Sequence, residues 1–320
     1  MVPPFDSDRL AQTTTMSNEA KQATEHHASG RAYALLVFTT LCWGGNAILG
    51  RLAVGEISPM LLVGLRWIGV MILMLVIAPR HVRRDWPLLR PLLPLLAAMG
   101  ALGFAAFTAI FYYAAHYTTA VNIGIIQGAM PVFVMLGAFA VYRTPVRRIQ
   151  MLGVAVTLIG VVTVASGGSL QRLMALTFNR GDILLIIDCT LYAFYALGLQ
   201  RRPAVSSLSL FAVFACAAFV VSLPLAGAEY MLGYSQWPTP TGWLITGLVI
   251  LFPSFISQLT FMKGVALIGP GRASLFVNLV PVFAAILAVV ILGEPFHIYH
   301  ALALALVLGG IWLAERVKQH

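Results

Sequence analysis

Two charged side chains lie well inside apolar stretches of the chain, Arg66 and Asp188. A charge near the centre of a bilayer costs about 2.5–3.5 kcal/mol on insertion scales, so each should face protein or water and seek a partner. At 1.5 Å of rise per residue both sit roughly 10–12 Å below the same membrane surface. Equal depth and opposite sign predict an Arg66–Asp188 pair, serving as a structural tie, an outer gate element, or an anchor for a substrate carboxylate or amine. Rings and amides accompany them. Trp43 and Asn46 fall on one helix side at spacing i, i+3, and Asp188, Tyr192 and Tyr195 at i, i+4, i+7. Phe104, Thr108 and Phe111 share a face, as do Gln258 and Phe261. Such side chains do no covalent chemistry; mostly apolar with a few polar anchors, they suit a small-molecule binding site.

Pro131 and Pro281 stand mid-span at equivalent places, with Gln127 four residues before the first and Asn278 three before the second. A proline inside a helix frees the carbonyl four residues earlier. In a bilayer that is tolerated only where protein or a water-filled cavity satisfies the group. Both prolines are therefore candidate helix breaks beside a central site.

Other chemistry is poorly supported. Cys42, Cys189 and Cys216 are scattered apolar fillers with no metal or disulfide pattern. His81, His297 and His300 lie at span ends on different sides, and no nucleophile–base set is visible, so an enzyme, a metal site and a cofactor are not expected. The sequence holds no GxxxxGK[ST] loop, so transport would draw on gradients or exchange.

The elements that must hold these residues follow from composition. Sixty percent of residues are hydrophobic and 10% charged, which excludes an ordinary soluble domain. Apolar spans fall near 32–54, 58–78, 91–115, 119–142 and 145–165, and again near 181–201, 206–226, 242–263, 270–292 and 296–315. The expected fold is all-α: ten transmembrane helices as a 5+5 inverted repeat. Residues 1–30 read as a disordered cytoplasmic tail, 31–166 as a first repeat and 180–315 as a second. The repeats align without a gap at an offset of 150, Arg51 on Arg201, Phe111 on Phe261 and Pro131-Val132-Phe133 on Pro281-Val282-Phe283. An odd number of spans per repeat makes the second copy enter from the opposite side, the signature of an inverted-repeat transporter with its site at the midplane.

The net charge of +9 does not require a nucleic-acid partner. With the N-terminus in the cytoplasm, most Lys and Arg gather at inner ends, the positive-inside bias. The turn after the fourth span carries Arg143, Arg147 and Arg148, while its aligned partner after the ninth carries Glu294 and no Lys or Arg. The expected partners are a small molecule and the lipid bilayer. Small-residue faces such as Ala97, Ala101, Ala105 and Ala109 pack helices within one chain as readily as between chains, so a monomer is compatible and the oligomeric state stays open.

Several short tracts carry a family likeness. Trp43-Gly44-Gly45-Asn46 with Arg51, Pro59 and Arg66, Arg272-Ala273-Ser274 through Pro281-Val282, Leu292-Gly293-Glu294-Pro295 and Leu308-Gly309-Gly310 resemble the EamA-type branch of the drug/metabolite transporter superfamily. The likeness covers roughly residues 31–315, and within the branch the chain is similar to YddG-like aromatic amino-acid exporters. The resemblance implies both termini in the cytoplasm of a bacterial inner membrane, alternating access, and export of amino acids, aromatic or neutral, and related metabolites. A multidrug or cation exporter, or another metabolite exchanger of the superfamily, is the alternative; a phosphorylated-sugar exchanger would want clustered cations at the midplane.

Overall fold

The computed structural model describes the backbone of residues 7–115, 117–118 and 120–315, with side-chain surroundings from residue 29 onward apart from gaps around 112–124. The first half forms α1 (Ser7–Leu52), α2 (Pro59–Ile77), α3 (Pro79–Leu89), α4 (Leu93–Gly100), α5 (Phe107–Ala115), α6 (Ala120–Gly128), α7 (Met130–Tyr142) and α8 (Arg148–Ala165). After a short α9 (Leu170–Met174), the second half forms α10 (Arg180–Gly198), α11 (Ser207–Met231), α12 (Pro240–Val249), α13 (Ser257–Ile268), α14 (Pro270–Leu275), α15 (Leu279–Leu292) and α16 (Ile298–Glu315). No strand occurs among the described residues.

Eight helical stretches are long and apolar enough to cross a membrane, and Met130–Tyr142 and Ile298–Ala314 are two shorter apolar helices. The tail expected over 1–30 lies partly outside the described residues. From Ser7 the backbone is helical and runs unbroken into the first span. Residues 7–29 contain no Gly or Pro and are rich in Ala, Gln, Glu and other residues that favour a helix, which a reading by apolarity alone overlooks.

The 150-residue offset holds in backbone detail. A π-helical turn at Ala101–Ala106, joining α4 to α5, has its counterpart at Ile250–Ile256, joining α12 to α13. The break at Ala129 between α6 and α7 matches the 3-10 turn Phe276–Asn278 between α14 and α15. Left-handed residues cap both following helices, Arg143 (φ 56°) and Gly293 (φ 68°). Contacts are exchanged between halves as a pseudo-two-fold axis demands. α1 packs on α13 and α15, α10 packs on α5 and α7, and α2 meets its own counterpart α11 as α8 meets α16.

Close approach rather than water exclusion must hold such helices together in lipid, so small residues mark the contacts. A Cβ on Gly153 would lie 2.6 Å from the Gly310 carbonyl oxygen, and one on Gly160 would lie 2.9 Å from that of Ala303. These two crossings are related by the offset. Gly44 likewise brings α1 within van der Waals reach of the α15 backbone at Val280 and Ala284. Trp67, Tyr195, Phe211, Phe214 and Phe261 are fully buried between the helices, while Leu75, Val76 and Val290 face outward, as a lipid-facing surface requires.

Candidate functional site

The helix at the centre of the site is α10, started by a side-chain cap: the Asn179 carbonyl oxygen accepts from the N–H groups of Gly181 (2.8 Å) and Asp182 (3.3 Å). Two turns in, Asp188 is wholly buried. One carboxylate oxygen, Oδ2, accepts a long hydrogen bond from Gln127 Nε2 at 3.4 Å; Oδ1 has no hydrogen-bond partner among the described residues. The Tyr192 hydroxyl, one turn further on the same face, is buried without a partner as well. An unsatisfied buried polar group costs about 1–3 kcal/mol, and more when charged, so two side by side call for an explanation. Gln127 reaches Asp188 because α6 ends at Gly128; the span break positions the amide.

A wall of rings adjoins the two oxygens. Tyr192 lies 6.2 Å from both Phe107 and Phe261, measured between ring centroids. Phe261 lies 5.2 Å from Trp43 and 6.3 Å from Tyr195. Trp43 Nε1 donates to Ser257 Oγ at 3.0 Å, and Ser257 Oγ donates to the Pro253 carbonyl at 2.6 Å. The same carbonyl receives Arg66 Nη2 at 3.4 Å. Pro253 frees the Val249 carbonyl four residues back, and the Ser254 hydroxyl satisfies it at 2.5 Å. The π-helical turn there is thus internally satisfied, and it aims Ser257, Gln258 and Phe261 at α1 and α10. The Tyr195 hydroxyl donates to Gln258 Oε1 at 3.5 Å.

The structure therefore brings together Trp43, Tyr192, Tyr195, Gln258 and Phe261, and places Gln127 with Asp188. Phe104 joins them through Tyr195, 5.0 Å away, but is buried beneath, stacked on Trp67 at 5.2 Å. Thr108 turns to its own helix and donates to the Phe104 carbonyl at 2.7 Å. Asn46 and Phe111 are half-buried on α1 and α5. Asn278 reaches α8 instead, donating to Thr157 Oγ1 at 2.9 Å while its Oδ1 is left unpaired.

One expectation changes. The Arg66–Asp188 pair is not among the ion pairs of the described residues. Arg66 sits on α2, which packs on α11 and the second π-helical turn, whereas α10, which carries Asp188, packs on α5, α6 and α7. Equal depth did not mean the same side of the bundle. Pro131 and Pro281, the candidate helix breaks, are the second residue of α7 and the third of α15, just past interruptions. A proline lacks the N–H that a first helical turn leaves unused, which is why the interruption precedes it.

The rings fill the centre, and recesses open elsewhere. A cleft of about 130 Å³ lies between the loop carrying Thr144 and Pro145, Gln200, and the α13–α14 junction at Gly269–Arg272. Near the end carrying Arg51, contacts join the halves: Arg51 pairs with Glu294, the Glu229 carboxylate accepts from Ser58 Oγ (2.7 Å) and Leu61 N (2.9 Å), and Thr239 bonds Glu56. Sequence reasoning missed Phe107, Trp67 and both π-helical turns. Pro253 was the signal for the second turn, and the offset then pointed to Gly103 for the first.

Membrane-length apolar helices in two halves with matched interruptions define a multi-pass membrane protein; that it is a transporter and not an enzyme follows from its family. The chain belongs to the EamA-like transporter family, whose model matches twice, at residues 30–166 and 179–315. It is 26% identical over 295 residues to the "Uncharacterized transporter YetK" of Bacillus subtilis, covering 90% of this chain and 88% of that one. It is 25% identical over 292 residues to the "Uncharacterized inner membrane transporter YedA" of Escherichia coli K12, covering 90% of each. A solved crystal structure shares the fold, with a TM-score of 0.71 at 17% identity over 92% of this chain and 99% of the other.

Proposed function

We propose that this chain is a ten-span, ATP-independent carrier of the bacterial inner membrane that exports aromatic or neutral amino acids and related amine-bearing metabolites by alternating access. The ten spans are the eight long stretches, α6–α7 taken as one interrupted span, and α16. Five spans per repeat would set the halves in opposite senses, and the clustering of Lys and Arg supports a cytoplasmic position for both termini. The observation that carries the substrate reading is the unpaired Asp188 oxygen beside the unpaired Tyr192 hydroxyl, next to a wall of rings. An ammonium group would satisfy both oxygens and neutralise the carboxylate. Trp43, Phe107 and Phe261 would flank an apolar or aromatic side chain, and Asn46 and Gln258 offer amides to a carboxylate. Separation of Trp43 and Phe261 on α1 and α13 from Phe107 and Tyr192 on α5 and α10 would open the space that the rings now fill.

The test is uptake into proteoliposomes, empty or preloaded, of labelled amino acids with and without a proton gradient. Saturable uptake with counterflow, cut at least tenfold by Asp188→Asn, is the expected result. Uptake indifferent to that substitution would remove Asp188 from the site. A second reading, export of organic cations, rests on the same carboxylate, which has no Lys or Arg partner among the described ion pairs. Competition by a quaternary ammonium compound but by no amino acid would select it.

A further inference from the structure

On the lipid-facing side, α4 and α11 form the banks of a groove of about 660 Å³. It exists because the two backbones nearly touch on their buried side, where a Cβ on Gly100 would lie 2.5 Å from the Phe214 carbonyl oxygen. Outside that contact the side chains are small: Ala97, Ala98 and Ala101 on one bank, Ala212, Cys216 and Ala217 on the other. Trp86 of α3 stands at one end, 43% exposed. Along α11 the lining ends at Val221, so the groove from Ala212 is about 14 Å long at 1.5 Å per residue. That is half of the roughly 30 Å hydrocarbon core. An acyl chain of one leaflet matches this length, whereas a helix from a second copy would use the whole span.

The mouth is cationic. Arg83 and Arg90 lie three residues before and four after Trp86, on its face of the helix, and Arg80 is one turn earlier. All three are exposed and in no ion pair among the described residues. The nearby acid is already engaged: Asp85 accepts from Arg84 Nε (2.9 Å), Ser206 N (2.9 Å) and Ser209 Oγ (2.7 Å). Arginines at headgroup level above an apolar trough match a molecule with a negative head and a hydrocarbon tail. We propose that this groove binds one anionic phospholipid, its acyl chain between α4 and α11 and its phosphate against Arg83 and Arg90. The site lies on the opposite face of α4 and α11 from their buried contact and does not depend on what the carrier moves.

Native mass spectrometry of the purified full-length protein, stripped of lipid and offered phosphatidylglycerol and phosphatidylcholine of identical chains, tests it. Wild type should retain about tenfold more phosphatidylglycerol at one site. Arg83→Gln with Arg90→Gln should bring the ratio close to one, and Arg83→Lys with Arg90→Lys should keep most of it. Cys216→Phe, which fills the trough from its exposed side, should lower retention of both lipids without changing the melting temperature by more than a few degrees. Equal retention of the two lipids by wild type, or an unchanged ratio in the glutamine variant, overturns the proposal. So does a Cys216→Phe protein that keeps its lipid but turns from dimer to monomer, which would assign the groove to a second copy.

Discussion

In the proposed site the weight falls on Asp188 and Tyr192, because Asp188 Oδ1 and the Tyr192 hydroxyl have no hydrogen-bond partner among the described residues. Asp188→Asn should leave the fold intact, since Gln127 can still bond an amide oxygen, and should remove any response of uptake to a proton gradient. Stopped-flow acidification of proteoliposomes reads this directly; a gradient response that survives the substitution would place coupling elsewhere. Trp43→Ala removes the Ser257 bond and the contact with Phe261. It should raise KM for aromatic substrates about tenfold, for a loss of about 1.4 kcal/mol, and change KM for small ones much less. A uniform change in KM across substrates would mean that Trp43 only packs. Both residues were readable as a polar or aromatic interruption of an apolar run. Their partners were not, because periodicity gives the face of a helix but not which helix it meets; Arg66, set against Pro253 instead of Asp188, is the clearest case.

The helices are fastened at small residues. At the α8–α16 crossing a side chain on Gly153 or Gly310 would strike the opposite carbonyl, so Gly153→Val should cost about 1–3 kcal/mol and lower the melting temperature in detergent. Gly309→Val, one residue away with open space around it, is the control, and equal losses in the two would discount the crossing. The positions of the eight long spans were legible because about twenty apolar residues leave little choice. Interruptions were legible only as prolines, and only in part. Pro131 and Pro281 gave their places, but a 3-10 turn in one half and a single non-helical Ala129 in the other depend on which carbonyls the neighbours satisfy. The first π-helical turn carries no proline at all. At Gly103 an added Cβ would lie 2.7 Å from Tyr195 Cβ, so the turn brings its backbone close to α10 where only glycine fits.

For the whole molecule, the contacts joining the halves near Arg51 would form the closed gate of the proposed cycle. In a Cys216→Ser background, Arg51→Cys with Glu294→Cys bridged by a short bis-maleimide should stop counterflow in both directions, and either single cysteine should not. Full turnover with the bridge in place would refute gating at this end. The repeat itself has an energetic consequence. Halves that share π-helical turns, interruptions and left-handed caps, and cross in opposite senses, give nearly the same scaffold when the molecule is turned over. In the proposed cycle the inward- and outward-facing forms would then be close to isoenergetic, with the remaining gap supplied by side chains that do not match. Arg51 and Glu294 correspond, at the offset of 150, to Arg201 and Thr144, where the ion pair is replaced by Arg201 set 4.7 Å over the Tyr142 ring. An exposed pair is worth about 0.2–1 kcal/mol, so it tilts the balance by a factor of about five at most. A carrier so nearly level would idle between its two faces, and the gradients imposed on it rather than the scaffold would decide which way cargo runs.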